Sequence, residues 1–337
     1  MRTSTLFAPR VAALVARWGA PLFTLIAWML SAGLAHAQVF PSRPVTVLVG
    51  FAPGGGTDIA ARIIARPLSA LLGQNVVVEN RPGAGGNIAT DLTARAVPDG
   101  HTISLATVGA LSVAPHLNAK LPYDPRRDLA PITLAVSFAN VLVVHPSVQA
   151  NNVADYIRLA NAKPGSMGYG TSGVGGTGHL AGELFRLMAK ADVVHVPYKG
   201  GGPAMSDLLG GQIPSGFASA PSALPHIKAG KIRALATTGI RRSAFLPNVP
   251  TVAESGFPGY DATNWYAYIA PAKVPREIIE RLNRELVRVL NTQETREQLL
   301  ANGMEPQPGS PEELARVIES QLAVWGRVVR EAGIQAE

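Results

Sequence analysis

The residues with usable chemistry sit beside glycines. Thr57 and Asp58 follow Pro53-Gly54-Gly55-Gly56, and Ser172 and Thr177 bracket a run from Gly173 to Gly178. Tyr198 and Lys199 lead into Gly200-Gly201-Gly202, and Pro82-Gly83-Ala84-Gly85-Gly86-Asn87 is a further loop. Such loops suit either nucleophilic and acid–base catalysis or the holding of an anion by backbone amides. Catalysis lacks its partners. Ser172 is not in a G-x-S-x-G elbow, because Val174 occupies the last glycine position. Asp58 could act as a general base, but a carboxylate just after a glycine loop is more simply a helix cap. The seven histidines include no H-x-x-x-H pair, and His179 and His195, which flank the central loops, read as structural. There is no cysteine, which excludes thiol catalysis, disulfides and cysteine-ligated zinc or iron–sulfur sites. Gly173-Val174-Gly175-Gly176-Thr177-Gly178 matches G-x-G-x-x-G. A dinucleotide site, however, wants an acid about 20 residues on, at the end of the next strand. Tyr198 and Lys199 stand there, and Asp192 lies at that strand's start. No G-x-x-x-x-G-K-[ST] occurs. The sequence implies no nucleotide, no metal and no other cofactor.

These loops need elements to hold them. Pro44 to Val49 is a β-branched run ending at the first loop, and Ile59, Ile63, Leu68, Leu71 and Leu72 give the next helix its apolar residues. Short strands over Asn75–Val78, Met167–Tyr169 and Val193–Val196 lead into the other loops, each followed by a helical stretch. Ile132 to His145 reads as one or two buried strands. Pro275 to Leu290 is helical, and Ser310-Pro311-Glu312-Glu313 is a capping box opening a last helix. The alternation predicts an α/β fold. In open α/β sheets, loops at the carboxyl ends of strands gather where ligands bind. The helix behind each loop offers unpaired N–H groups and a positive dipole end. Four charge-assisted hydrogen bonds at about 1.5–3 kcal/mol each give roughly 6–12 kcal/mol gross, against about 8 for micromolar affinity. One such loop is only a tight turn; four in one chain, at 53–57, 82–87, 172–178 and 199–203, point to an anion cradle.

The first residues point to export. Arg2, Arg10 and Arg17 precede an uncharged apolar run from Gly19 to Leu34, and Ala35-His36-Ala37 supplies small residues for cleavage. Residues 1–37 therefore read as a secretory signal peptide. Pro21 and Ser31 interrupt the run, which weakens the alternative of an uncleaved anchor. The remaining 300 residues carry a net charge of +4, with no basic patch suited to nucleic acid. With 47% hydrophobic and 16% charged residues in the whole chain, disorder is excluded.

At the loops the chain resembles the substrate-binding proteins of tripartite tricarboxylate transporters, the Bug family. The matching segments run in order through nearly the whole exported chain. They are Phe51-Ala52-Pro53-Gly54-Gly55-Gly56-Thr57-Asp58 with Arg62 following, Val78-Glu79-Asn80-Arg81-Pro82-Gly83-Ala84-Gly85-Gly86, Pro98-Asp99-Gly100, Leu121-Pro122-Tyr123-Asp124-Pro125, His195-Val196-Pro197-Tyr198-Lys199-Gly200, and Leu246-Pro247-Asn248-Val249-Pro250-Thr251-Val252-Ala253-Glu254. The resemblance implies a two-domain periplasmic-binding-protein (Venus-flytrap) fold with mixed sheets flanked by helices. Domain 1 would be discontinuous, 41–141 plus 259–337, and domain 2 would be 142–258. It implies a monomer in the periplasm that binds a small organic carboxylate without catalysis and hands it to membrane permease subunits. Mono-, di- and tricarboxylates and aromatic acids are all candidates. The resemblance puts Phe51, Gly55, Gly56, Thr57 and Asp58 of the first loop, with Ser172, Gly175 and Thr177 of the central loop, on the proximal carboxylate. Tyr198 and Lys199 would line the other wall, and Ala218 and Trp265 the distal pocket. Three departures neighbour the cleft. Gly211-Gln212-Ile213-Pro214-Ser215 stands where the family has an acid after its Gly-Gln-x turn, Ala267 replaces a glycine, and Asn87-Ile88-Ala89 replaces a small-residue pattern. They leave the ligand open beyond a standard dicarboxylate. A sensor feeding a membrane signalling protein and an exported α/β enzyme are the other readings.

Overall fold

The computed structural model describes residues 40–332. The chain forms two compact units, Met1–Ser42 and Arg43–Glu337. Of the first only 40–42 are described, so the leader expected over 1–37 lies outside the described residues. The second unit holds every element named below.

Its framework is a mixed sheet. Strand β1 (Val45–Val49) pairs in parallel with β2 (Val76–Asn80) on one side and β3 (Thr102–Thr107) on the other. A second parallel set has β5 (Met167–Thr171) between β6 (Val193–Pro197) and β7 (Ser215–Ser219). Two antiparallel strands join them: β4 (Leu129–Val144), and β9 (Thr263–Pro271), which lies between β3 and β4. The apolar run read over 132–145 thus falls, except for His145, in one 16-residue strand, about 50 Å long at the usual rise. Its first part pairs with β9 and with β10 (Glu305–Pro306); its last part pairs with β7 and with β8 (Arg233–Thr237). One strand therefore ties the two parallel sets together.

Both sets reverse direction around a central strand. The chain goes from β1 to β2 and then back across to β3; it goes from β5 to β6 and then back across to β7. Each reversal is a switch point, where an α/β sheet opens a crevice at its carboxyl edge. The helices that leave these edges are α1 (Gly56–Leu72), α2 (Asn87–Ala94), α5 (Thr177–Ala189), α6 (Gly201–Leu209) and α7 (Ala220–Lys228). The short α3 (Ala114–Leu117) and α4 (Val153–Ala162) lie between the two sets in sequence. The C-terminal helices are α8 (Arg276–Asn291), α9 (Gln293–Ala301) and α10 (Pro311–Ala332).

Burial explains why these segments hold. The stripe Leu314, Ile318, Leu322, Trp325 and Val329 of α10 joins a core that includes Tyr156, Tyr169, Phe185 and Phe217. Helix α1 continues through Pro67, and its buried face is Ala60, Ala61, Ile64, Leu68 and Leu72. That face is turned from the one expected on Ile59 and Ile63, which are half-buried.

Candidate functional site

Helix starts define the site. Four helices, α1, α5, α6 and α7, begin at one pocket, which is lined at those starts by Gly55, Gly56, Thr57, Thr177, Gly201 and Ser219. At none of the four does the N-cap residue offer a side-chain hydrogen bond to the first turn. Three of the other helices are capped, Asn152 accepting from Asp155 N at α4, Thr292 from Thr295 N at α9 and Ser310 Oγ from Glu313 N at α10, whereas α2, α3 and α8 also begin without a side-chain cap. The pocket helices thus keep first-turn N–H groups uncapped where a ligand would meet them, and their dipoles add positive potential. The cavity between these starts has a volume of about 40 Å³, room for a few water molecules. Among the described residues no Lys, Arg, His, Asp or Glu lines it.

Glycine is required here by close approach. A Cβ on Gly56 would stand 2.8 Å from Ser219 Oγ and 2.9 Å from Tyr266 Oη. A Cβ on Gly202 would stand 2.5 Å from the Pro53 carbonyl oxygen. At the same seam Ala52 N donates to Lys199 O at 3.0 Å, so the first and fourth loops meet backbone to backbone.

Of the twelve residues named from sequence, Phe51, Gly55, Gly56, Thr57, Ser172, Thr177 and Ala218 line the pocket. Asp58, Gly175, Tyr198, Lys199 and Trp265 do not. Asp58 staples its own loop: its carboxylate accepts from Gly54 N at 3.1 Å, Arg62 Nε at 2.9 Å and Asn80 Nδ2 at 3.0 Å. The N–H of Gly175 is spent on His179 Nδ1 at 3.1 Å. Tyr198 donates its hydroxyl to Asp207 at 2.7 Å; burial and that carboxylate push its phenol up to about 12. Lys199 is exposed. Trp265 is buried in the core, whereas Asn264 and Tyr266 on either side of it line the pocket. Alternation along β9 decides this, since neighbours in a strand face opposite sides. The loop at 82–87, expected in the cradle, is also outside the lining; Gly85 packs instead against the Val174 carbonyl.

The sequence reading missed Asn140, Asn264, Tyr266 and Ser219. Asn140 carried a signal, being the one amide side chain in a mostly apolar strand. Its Nδ2 and Asn264 Oδ1 are buried without a protein partner among the described residues, while Asn264 Nδ2 donates to Thr177 Oγ1. Unpaired buried polar atoms are costly and call for a partner. Tyr266 hydrogen-bonds Thr57 and Ser219, and burial raises its phenol far above the ordinary value. Ser219 begins α7 through Ser-Ala-Pro, with no glycine to announce it.

Behind the pocket wall His179 and His195 stack, with ring centroids 4.0 Å apart. His195 Nε2 lies 2.7 Å from the Oγ1 of Thr171, itself a lining residue. Burial, then His179, pushes His195 down to about 3. An unfolded histidine takes a proton near pH 6.5, and this folded one does not until about pH 3. Its contribution to stability is therefore whole above pH 6.5 and is lost as pH falls toward 3, by about 1.4 kcal/mol per unit. The melting temperature is expected to drop between pH 6.5 and 5, and His195→Gln to flatten that slope. Parallel pH profiles for the two proteins would count against this account.

Comparison with known proteins agrees with this geometry. Residues 60–334 match the tripartite tricarboxylate transporter family receptor. Protein BugT of Bordetella pertussis is 38% identical over 310 residues, which cover 91% of this chain and 95% of that protein. The structure of R. palustris Rpa4515 with adipate is 38% identical, with a TM-score of 0.85 over 88% of this chain and 99% of that one. MatC (Rpa3494) from Rhodopseudomonas palustris, with bound malate, is 31% identical, with a TM-score of 0.83 over 86% and 100%.

Proposed function

The chain belongs to the tripartite tricarboxylate transporter receptor family, and on that premise we propose that it is an exported solute-binding protein that captures a small organic carboxylate without chemistry and delivers it to a membrane permease. The observation that carries this is the convergence of four uncapped helix starts on a pocket with no charged lining residue. The first-turn amides of α1, α5 and α6 would hold the carboxylate, and Ser172, Asn140 and Asn264 would complete its surroundings. An anion needs no lysine or arginine there, because backbone donors at helix starts are already oriented.

Two lobes, 41–141 plus 259–337 and 142–258, would close on the ligand. The change of partners along β4, from β9 to β7 and β8, supports a division near 140. Ligand bridging the lobes would favour the closed arrangement by its differential affinity for it. The carboxylates bound in the two R. palustris relatives support the ligand class. The leader read over 1–37 supports delivery to the periplasm.

The test is calorimetry on residues 38–337, unfolded and refolded beforehand to strip carried ligand. Titration with mono-, di- and tricarboxylates should give saturable binding at one site by at least one acid, recovered chemically unchanged. Neutral amides of the same acids should not bind. Failure of every carboxylate, or turnover of the bound acid, would sink the proposal.

A further inference from the structure

Much of the pocket's polar lining is already paired within the protein. Thr171 Oγ1 lies 2.7 Å from His195 Nε2, Ser219 Oγ lies 2.9 Å from Ser222 Oγ, and Tyr266 bonds Thr57 and Ser219. Asn140 and Asn264 differ. They are 1% and 2% exposed, and both line the cavity. Among the described residues Asn140 Nδ2 and Asn264 Oδ1 are buried without a partner. One is a donor and the other an acceptor. The main chain of Asn140 is committed to Thr238: its N–H donates to Thr238 Oγ1 and its carbonyl accepts from Thr238 N, both at 2.9 Å. Asn264 Nδ2 donates to Thr177 Oγ1, which leaves Oδ1 as the open acceptor.

The sheet sets the two amides side by side. Phe138 on β4 stands opposite Asn264 on β9, and Asn140 is two residues further along β4. Both side chains therefore leave one face of the sheet as diagonal neighbours, about 7–8 Å apart at the backbone. One hydroxyl between them would accept from Asn140 Nδ2 and donate to Asn264 Oδ1, with bonds of about 2.8–3.0 Å. A carboxylate or keto oxygen would serve Asn140 alone, and an apolar group neither. Water can serve such atoms, but a ligand that displaces it without replacing its bonds loses affinity. Thr177 ties the pair to the anion site, since it opens α5, whose first-turn amides would hold the carboxylate. We infer that Asn140 and Asn264 form a hydroxyl-reading subsite and that the ligand is a hydroxycarboxylate, its hydroxyl on the carbon beside the carboxylate or on the next one. This rests on the carboxylate reading above and names the group that accompanies the carboxylate.

Calorimetry on the refolded protein tests it with acids that differ in that group: propanoate against each enantiomer of lactate and against 3-hydroxypropanoate, and succinate against each enantiomer of malate. At least one hydroxy acid should bind at least about tenfold more tightly than its parent, a difference of about 1.4 kcal/mol, because the parent leaves both amide atoms unserved. Parents that bind as tightly as their hydroxy acids would overturn the inference and leave the carboxylate reading intact. So would hydroxy acids that fail where another carboxylate binds. Binding by no carboxylate would overturn both. Asn140→Leu, similar in size and unable to donate, is the second arm. It should shrink the preference for the hydroxy acid over its parent at least about fivefold. An equal fall in affinity for the two acids, or an unchanged preference, would overturn the role of Asn140, and the wild-type comparison stands whether or not this variant folds.

Discussion

Gly202→Ala is expected to weaken ligand binding by roughly 5- to 150-fold, with little change in melting temperature. The added Cβ would sit 2.5 Å from the Pro53 carbonyl oxygen, a rigid backbone atom on the opposing loop. Relieving such overpacking costs about 1–3 kcal/mol, and the cheapest relief is for the loops at 53–57 and 199–203 to part. Parting them draws apart the starts of α1 and α6, on which the carboxylate would rest. Stability is spared because Gly202 has no positive φ and lies in the first turn of α6, where alanine is the better helix former by up to about 1 kcal/mol. Gly109→Ala makes a parallel case: its Cβ would meet the Gly175 carbonyl oxygen at 2.5 Å, also without a positive φ. Calorimetry and a thermal melt on each variant separate the two effects. Unchanged affinity would show that the loops need not meet for binding, and equal losses of affinity and stability would point to general misfolding.

Asp58→Ala should have the opposite signature, a loss of stability first. Asp58 is 4% exposed, and its carboxylate accepts from Gly54, Arg62 and Asn80. Arg62 is half-exposed and can turn to water, but the Gly54 N–H and the Asn80 amide lose a charged partner. The loss of such a bond costs about 1.5–3 kcal/mol, or roughly 3–12 °C in a chain of this size. Binding should weaken too, because Gly54 shapes the loop ahead of α1. Burial pushes the Asp58 carboxyl up, but the hydrogen bonds from Arg62, Gly54 and Asn80 together outweigh it and hold it below the ordinary range. A depressed carboxylate stabilises the fold above its unfolded pKa, about 3.9, and stops doing so as pH falls through its folded value. The gap in melting temperature between the wild type and Asp58→Ala should therefore be full at pH 7 and narrow below about pH 4. A gap that does not depend on pH would mean that packing, and not charge, holds the loop.

The two variants separate what holds a loop in shape from what lets two loops meet. Asp58 stood among the candidate ligand residues through the family resemblance; its carboxylate is bonded to Gly54, Arg62 and Asn80, and it does not line the pocket. Gly175 was similar: it lies in the right loop, but its N–H is committed to His179. Both are cases where a nearby residue in sequence competes for the group a ligand would have used.

The sequence by itself determined what depends on near neighbours. Glycine before a helix start, the capping box at Ser310 and the alternation of strand and helix were legible because turn geometry and helix capping are settled within a few residues. The resemblance carried by the ordered loop segments fixed the family. Tertiary structure decided which side of each strand met the pocket. Asn264 and Tyr266 face it and Trp265 does not, because the pairing of β9 with β3 and β4 sets the register, and a shift of one residue reverses every side chain. It decided that the loop at 82–87 backs the central loop, and that α7, which begins without a glycine, supplies the fourth helix start. It also gathered Asn140 and Asn264, from neighbouring strands, into one cavity lining. Those relations join residues far apart in sequence, and only long-range packing gives them a distance.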